Sequence, residues 1–183
     1  MKKIKLFDPV IEKKEINDIV KTFKSGFWAS GAGSDRVNEF EKKFKKFVNS
    51  KACITVNSGT AALHLAASVS NIKGKEVILP SLSFVSTAHA VLYNGGIPIF
   101  VDVDPNTLCI DPEEIKKKIS SKTRCIIPVH FGGIPADIKK IQELSNSKII
   151  IIEDAAHACG SEFNRKKIGR HGDFVCFSFH PVK

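Results

Sequence analysis

At 183 residues, with 43% hydrophobic and 26% charged content, the chain is long enough to bury one globular core and too ordinary in composition to be disordered or fibrous. No apolar run approaches the ~18 to 20 residues of a membrane helix, and Met1-Lys-Lys leads to Phe7-Asp8-Pro9 rather than to a signal-peptide core, so the expectation is a soluble, cytoplasmic protein with no membrane association. The formal charge of +9 raises nucleic acid as a partner, but the lysines fall on many helix faces (Lys42-Lys43-x-Lys45-Lys46, Lys116-Lys117-Lys118) without an aromatic-interleaved basic stripe, so none is expected.

Asp8-Pro9 reads as a cap and first-turn proline, and Ile16, Ile19, Val20 and Phe23 recur at helical spacing until Ser25-Gly26, predicting a first amphipathic helix. The loop from Gly26 to Gly33 holds small residues, Trp28 and Ser30, a backbone able to approach a ligand. Its Gly31-Ala-Gly33 is no dinucleotide fingerprint, because Arg36 follows and no clear strand precedes it. Val37, Phe40, Phe44, Phe47 and Val48 predict a second amphipathic helix with lysines opposite the aromatics. Ala52 to Val56 reads as a short strand, and Asn57-Ser58-Gly59-Thr60 opens a helix through Ala61, Leu63 and Ala66. A strand, a tight turn and a helix N-terminus suit a phosphate, though an ordinary helix cap has the same pattern.

Glu76 to Leu79 predicts another strand, and Pro80-Ser-Leu-Ser-Phe84 leads into a helix through Ala88, Val91 and Leu92. Phe84, one of thirteen phenylalanines, is either core packing or a ring that stacks on a planar cofactor. Pro98 to Asp102 is a strand, Asp111-Pro-Glu-Glu starts a helix with lysines at its far end, and Cys125 to Val129 is a strand ending in His130-Phe-Gly-Gly133. Ile149 to Ile152 leads into Glu153-Asp154 as a strand buried on both faces with acids at its carboxyl end, where open α/β sheets bind ligands. A turn-rich hairpin is expected over Gly160 to Gly172, and a last strand over Phe174 to Phe179 leads to Lys183. The alternation argues an α/β unit spanning residues 1–183, with a mostly parallel central sheet flanked by helices in three layers. The five cysteines stand singly, without Cys-x-x-Cys spacing for zinc or a redox pair, and are expected to be reduced core residues.

A carboxylate and a lysine at two strand ends make either a salt bridge or the pair that pyridoxal phosphate requires, an amine for a Schiff base and an anion beside the pyridinium nitrogen. Ser58-Gly-Thr-Ala-Ala-Leu63, Pro80-Ser-Leu-Ser-Phe84, Val129-His-Phe-Gly-Gly-Ile-Pro-Ala-Asp137, Glu153-Asp-Ala-Ala-His-Ala158 and Ser178-Phe-His-Pro-Val-Lys183 fall in one order along the chain. Together they resemble the sugar aminotransferases of the DegT/DnrJ/EryC1/StrS type, within the pyridoxal-phosphate fold-type I superfamily.

The resemblance implies the cofactor-binding large domain of such an enzyme, with a C-terminal small domain beyond Lys183 absent. It implies that Lys183 forms the Schiff base with pyridoxal 5'-phosphate and then acts as proton carrier, while Asp154 keeps the pyridine nitrogen protonated. Gly59, Thr60, Ala61 and Ser178 would hold the phosphate, Phe84 would stack on the ring, and His157 would pack beside it or reach its phenolic oxygen. The implied reaction moves an amino group from a donor such as glutamate to a nucleotide-linked keto sugar, for amino sugars of surface polysaccharide such as lipopolysaccharide. The implied assembly is a homodimer, and Lys183 speaks against the dehydratase branch, which lacks the lysine. A lysine at the last position is expected to be poorly held, so the chain alone is expected to be weakly active or inactive. The alternative is a non-catalytic fragment or pseudo-enzyme acting through subunit pairing.

Overall fold

The computed structural model describes residues 9–27 and 35–183. The cap expected at Asp8 and most of the small-residue loop, with Trp28, Ser30, Gly31 and Gly33, lie outside the described residues. Helix α1 runs Lys13–Ser25 and starts later than the Asp8-Pro9 reading, because Glu12 and Glu15 cap each other reciprocally and residues 9–12 stay non-helical. It stops where expected, at Gly26 with φ 73°, whose N–H donates to the Phe23 carbonyl. No α1 side chain is buried.

Helix α2, Asp35–Val48, lays Phe40 and Phe44 against Phe179 and Phe44 against Phe177 in edge-on contacts of 5.0–5.2 Å. Residues 52–56 do not form the expected strand. A strand exists only through a partner, and none of the described elements supplies one. Instead the Thr55 N–H and hydroxyl both donate to Glu41 Oε1, at 2.7 and 2.9 Å, and Ile54 is 74% exposed.

Helix α3, Gly59–Val69, is followed by strand β1 (Glu76–Pro80), helix α4 (Val85–Tyr93), strand β2 (Ile97–Val101) and helix α5 (Pro112–Lys118). Next come strand β3 (Thr123–Ile126), a short 3₁₀ turn at Phe131–Gly133, helix α6 (Ile138–Ser145) and strand β4 (Ile150–Asp154). Strands β5 (Glu162–Phe163) and β6 (Lys166–Lys167) form the expected hairpin, its turn made by Asn164 and Arg165, both at positive φ. Strand β7 (Phe174–Cys176) closes the set. Two strands are shorter than their apolar runs: β3 ends at Ile126, with Val129 making one isolated bridge to Asp154, and β7 ends at Cys176. Helix α6 is not among the sequence-predicted elements, although the Asp137 cap, which accepts from the Lys140 N–H, and buried Ile138 and Ile141 mark it.

The main sheet is five-stranded and parallel, in the order β2-β1-β3-β4-β7. The two-residue period of a strand sorts its side chains onto two faces. Val77, Leu79, Cys125, Ile127, Ile152 and Cys176 pack with α3 and α4 residues, while Ile78, Ile126 and Ile151 pack with α5 and α6 residues. Each such buried aliphatic side chain contributes about 1.5–3 kcal/mol. The same alternation at the end of β4 sends Asp154 to the α4 side and Glu153 to the opposite side. Among the described residues no helix is long and apolar enough to cross a membrane.

Candidate active site

Asp154 ends β4 and is only 4% exposed, so its carboxylate needs donors. Thr87 Oγ1, in the first turn of α4, donates to Oδ2 at 2.8 Å, and the Ala156 N–H donates to Oδ1 at 3.2 Å. Ser83 Oγ donates in turn to Thr87 Oγ1 at 2.6 Å, so the loop after β1 braces the acid that ends β4. Proline-serine sequence at residues 80–83 ends the strand and turns the chain so that α4 starts over this carboxylate.

Lys183 Nζ lies 3.0 Å from His157 Nε2 and 5.7 Å from the centroid of the Phe84 ring. The other nitrogen of His157, Nδ1, accepts the Gly132 N–H at 3.2 Å. Burial first, and then the charge of Lys183, push the His157 imidazole below its usual pKa, with Asp154 pulling the other way. A neutral imidazole has one N–H, so with Nδ1 accepting, Nε2 carries the proton, and the Lys183 nitrogen accepts it only as the unprotonated amine, because an ammonium has donors alone. A cleft of ≈ 310 Å³ opens here, bounded by Ala156, His157, Cys159, Ser178, His180 and Lys183.

Ser58 caps α3, its side chain accepting from the Ala61 N–H at 3.1 Å. The ordinary cap reading of this turn therefore holds for Ala61, while Gly59 and Thr60 begin a first turn whose N–H groups have no earlier carbonyl in the helix. A Cβ on Gly59 would stand 3.0 Å from Ser178 Cβ and 3.3 Å from the Phe177 carbonyl oxygen. Glycine thus keeps a gap between the start of α3 and the segment after β7, and Ser178 Oγ, which accepts from the His180 N–H at 3.3 Å, edges it. A phosphate fits a helix N-terminus flanked by hydroxyls with a missing Cβ. These residues, the buried acid and the amine make a donor set compatible with pyridoxal 5'-phosphate.

Of the sequence-predicted residues, Lys183, His157 and Phe84 meet directly, Gly59 meets Ser178, and Asp154 closes β4 beside β7. Thr60 and Ala61 follow Gly59 in the same helical turn. Sequence reasoning missed Thr87, Ser83 and Gly132. The small residues of the Pro80-Ser-Leu-Ser-Phe84 run were the available signal for Ser83; nothing local marks Thr87 or the Gly132 N–H, whose partners are distant in sequence. The expectation of buried cysteines holds for Cys109, Cys125 and Cys176 but not for Cys159, which is exposed at the cleft.

The model of the DegT/DnrJ/EryC1/StrS aminotransferase family matches residues 9–183. The spore coat polysaccharide biosynthesis protein SpsC of Bacillus subtilis is 40% identical over 177 residues, covering 96% of this chain and 45% of the relative. The GDP-perosamine synthase of Escherichia coli O157:H7 is 38% identical over 185 residues, covering 100% of this chain and 50% of the relative. Among solved structures, Spr1654 of Streptococcus pneumoniae, a sugar aminotransferase by name and captured in its PLP form, superposes with a TM-score of 0.92 at 29% identity, covering 98% of this chain and 50% of that one. The chain spans about half the length of the curated relatives it matches. With its motifs in order, its parallel sheet, its strand-end acid and its lysine beside His157, the chain belongs to the DegT/DnrJ/EryC1/StrS aminotransferase family.

Proposed function

We propose that the chain forms the cofactor-holding part of a pyridoxal-phosphate-dependent aminotransferase that passes an amino group from an amino acid such as glutamate to the keto group of a nucleotide-linked sugar. The observation that carries this reading is the contact of Lys183 Nζ with His157 Nε2 at 3.0 Å, beside the Phe84 ring. The name of the GDP-perosamine synthase relative supports a sugar nucleotide, and that of the spore-coat-polysaccharide relative a role in surface polysaccharide formation; the cytoplasm belongs to the same reading. A homodimer is part of the same reading.

When bound, pyridoxal 5'-phosphate supplies an aldehyde that captures an amine and a ring that takes up the electron pair left when a neighbouring carbon loses its proton. Gly59 would leave room for the phosphate, and the Thr60 N–H and hydroxyl, the Ala61 N–H released from Ser58, and the Ser178 hydroxyl would donate to it. Asp154, oriented by Thr87, would hold a proton on the cofactor's ring nitrogen. Phe84 would cover one face of the cofactor ring. Lys183 would be the amine that holds the cofactor's aldehyde group, and its Nζ, once free, would take and return a proton. His157 stays neutral and keeps its Nε2–H toward the reacting side.

The test is a titration of the full-length protein with pyridoxal 5'-phosphate, followed by glutamate and a GDP-linked keto sugar. A new visible absorption band that Lys183→Ala abolishes, and amino sugar formed only with the lysine present, are expected. A band that survives Lys183→Ala refutes the assignment of the amine. Binding without turnover, on any nucleotide-linked keto sugar, favours the non-catalytic alternative.

A further inference from the structure

Glu153 and His130 are both 0% exposed, and neither has a part in the mechanism above. His130 Nε2 lies 2.8 Å from Glu153 Oε2, while His130 Nδ1 accepts the Ala136 N–H at 3.0 Å. A backbone N–H can only donate, so Nδ1 is the bare nitrogen and Nε2 bears the proton it gives to Glu153. The second carboxylate oxygen, Oε1, accepts from the Gly172 N–H. Both oxygens therefore face donors, and the imidazole is the neutral Nε2–H form. A carboxylate buried this completely is costly unless each oxygen is matched, and here the match comes from the His130 ring and the Gly172 backbone N–H, in two separate loops.

The consequence lies in the loop that His130 closes. Its ring spans from residue 130 to the Ala136 N–H, while the His130 backbone N–H donates to the Asp154 carbonyl at 3.0 Å. Between these anchors lies the turn Phe131–Gly133, with Gly132 at φ 59° and Gly133 at φ 85°. A Cβ on Gly133 would stand 3.1 Å from the His157 carbonyl oxygen, and Ser161 Oγ donates to the Gly133 carbonyl at 2.7 Å. The turn is thus pressed against the His157 segment, and it delivers the Gly132 N–H to His157 Nδ1. Phe131 meets the same ring edge-on at 6.0 Å.

We infer that Glu153 and His130 are positioning residues whose buried hydrogen bond sets the 131–133 turn so that the Gly132 N–H holds His157 in its Nε2–H tautomer facing Lys183. The inference rests on the reading of Lys183 as the reacting amine. Donor polarity passes from one side of the sheet to the other. Glu153 fixes the tautomer of His130, His130 fixes the turn, and the turn fixes the tautomer of His157. Glutamine at 153 breaks this logic with almost no change in volume. Its amide has one acceptor, so it satisfies either His130 Nε2–H or the Gly172 N–H and sets a donor against the other.

Neutron diffraction from deuterium-exchanged crystals of the full-length protein, free of cofactor and held at alkaline pH so that the lysine amine can accept, reads the tautomers directly. In the wild type, deuterium is expected on Nε2 and not on Nδ1 of both His130 and His157. In Glu153→Gln, His157 is expected to lose its single tautomer, with deuterium divided between its two ring nitrogens or its ring turned from Gly132. His130→Asn, whose side-chain oxygen keeps the Ala136 N–H but releases Glu153, is the second arm and is expected to do the same. In the loaded enzyme, both variants should lower kcat about ten-fold or more with the donor KM little changed, the signature of lost positioning. Deuterium on His157 Nδ1 in the wild type, an unchanged His157 in a folded variant, or failure of both variants to fold overturns the inference, the last by leaving the pair a structural role only. Because the tautomers are read without cofactor, this result and the Lys183-dependent absorption band succeed or fail separately.

Discussion

Thr87 Oγ1 donates to Asp154 Oδ2 at 2.8 Å, joining the first turn of α4 to the last residue of β4. The bond sets the direction in which a buried carboxylate faces, because the remaining donor to that group is the Ala156 N–H. Thr87→Val keeps the shape and removes the donor. It is expected to cost about 1.5–3 kcal/mol, the worth of a hydrogen bond to a charged group, read as a lower urea midpoint at unchanged m-value. Cofactor affinity should fall in the same variant, since the acid is then free to turn.

Gly59 and Ser178 test the phosphate cradle. An added methyl at 59 would meet Ser178 Cβ at 3.0 Å, so Gly59→Ala must push the α3 turn and the segment after β7 apart or fill the gap between them. Affinity for pyridoxal 5'-phosphate, followed by absorbance titration, is expected to drop about ten-fold or more, equivalent to one charge-assisted hydrogen bond. Helix content by circular dichroism should be unchanged, as alanine is at home in a helix.

Gly169 meets α2 more closely still. It sits at φ 136°, and a Cβ there would come 2.5 Å from Val48 Cβ. Gly169→Ala is expected to destabilise the fold by about 1–3 kcal/mol or more through overpacking and backbone strain, measured by thermal or urea unfolding. Gly74→Ala, where no atom lies within 4 Å but φ is also positive at 68°, isolates the strain alone and should cost less.

His171 predicts the acid side of the stability curve. Burial, its largest influence, pushes the imidazole below its usual pKa of 6.5, with Arg170 and Lys166 acting the same way and Glu153 opposing. Both ring nitrogens are buried without a hydrogen-bond partner. The unfolded chain therefore binds the proton more readily than the folded one. Stability from this group is complete above the unfolded value and is lost as pH falls below it toward the lower folded value. Urea unfolding at pH 7.5 and at pH 5.5 should show the midpoint dropping, and His171→Leu should shrink that drop.

Cysteine chemistry separates cleft from core. Burial pushes the thiols of Cys125 and Cys176 up, Cys176 to about 12, with Asp154 and Glu153 adding to the rise at Cys176. Burial also raises Cys159, less its attraction to Lys167, but that side chain is exposed at the cleft. A thiol reagent on the native protein should modify Cys159 well before Cys125 or Cys176, by peptide mass analysis, and bound pyridoxal 5'-phosphate should slow it.

Much of this molecule is legible along the chain because local rules act over a few residues. Alternation of apolar runs with helical stripes marked the parallel α/β fold, Gly26 marked the end of α1, and Ile149-Ile152 followed by two acids marked the central strand. The motifs through Ser58, Phe84, Asp154, His157 and Lys183 identified the family. Ala52 to Val56 misled, since strand propensity is a property of the segment whereas a strand is a property of a pair. Helix α6 was overlooked although its cap and its buried isoleucines lay in plain order.

Sequence by itself determined the fold class, the family and the residue types of the site, for these follow from periodicity and from chemistry carried by single side chains. Only the tertiary structure decided who faces whom. The two-residue period at the end of β4 turned Asp154 toward Thr87 and Glu153 toward His130, and the Gly132 turn met His157 across 25 positions. Hydrogen-bond polarity between groups so far apart in the chain depends on packing that no short window of sequence contains.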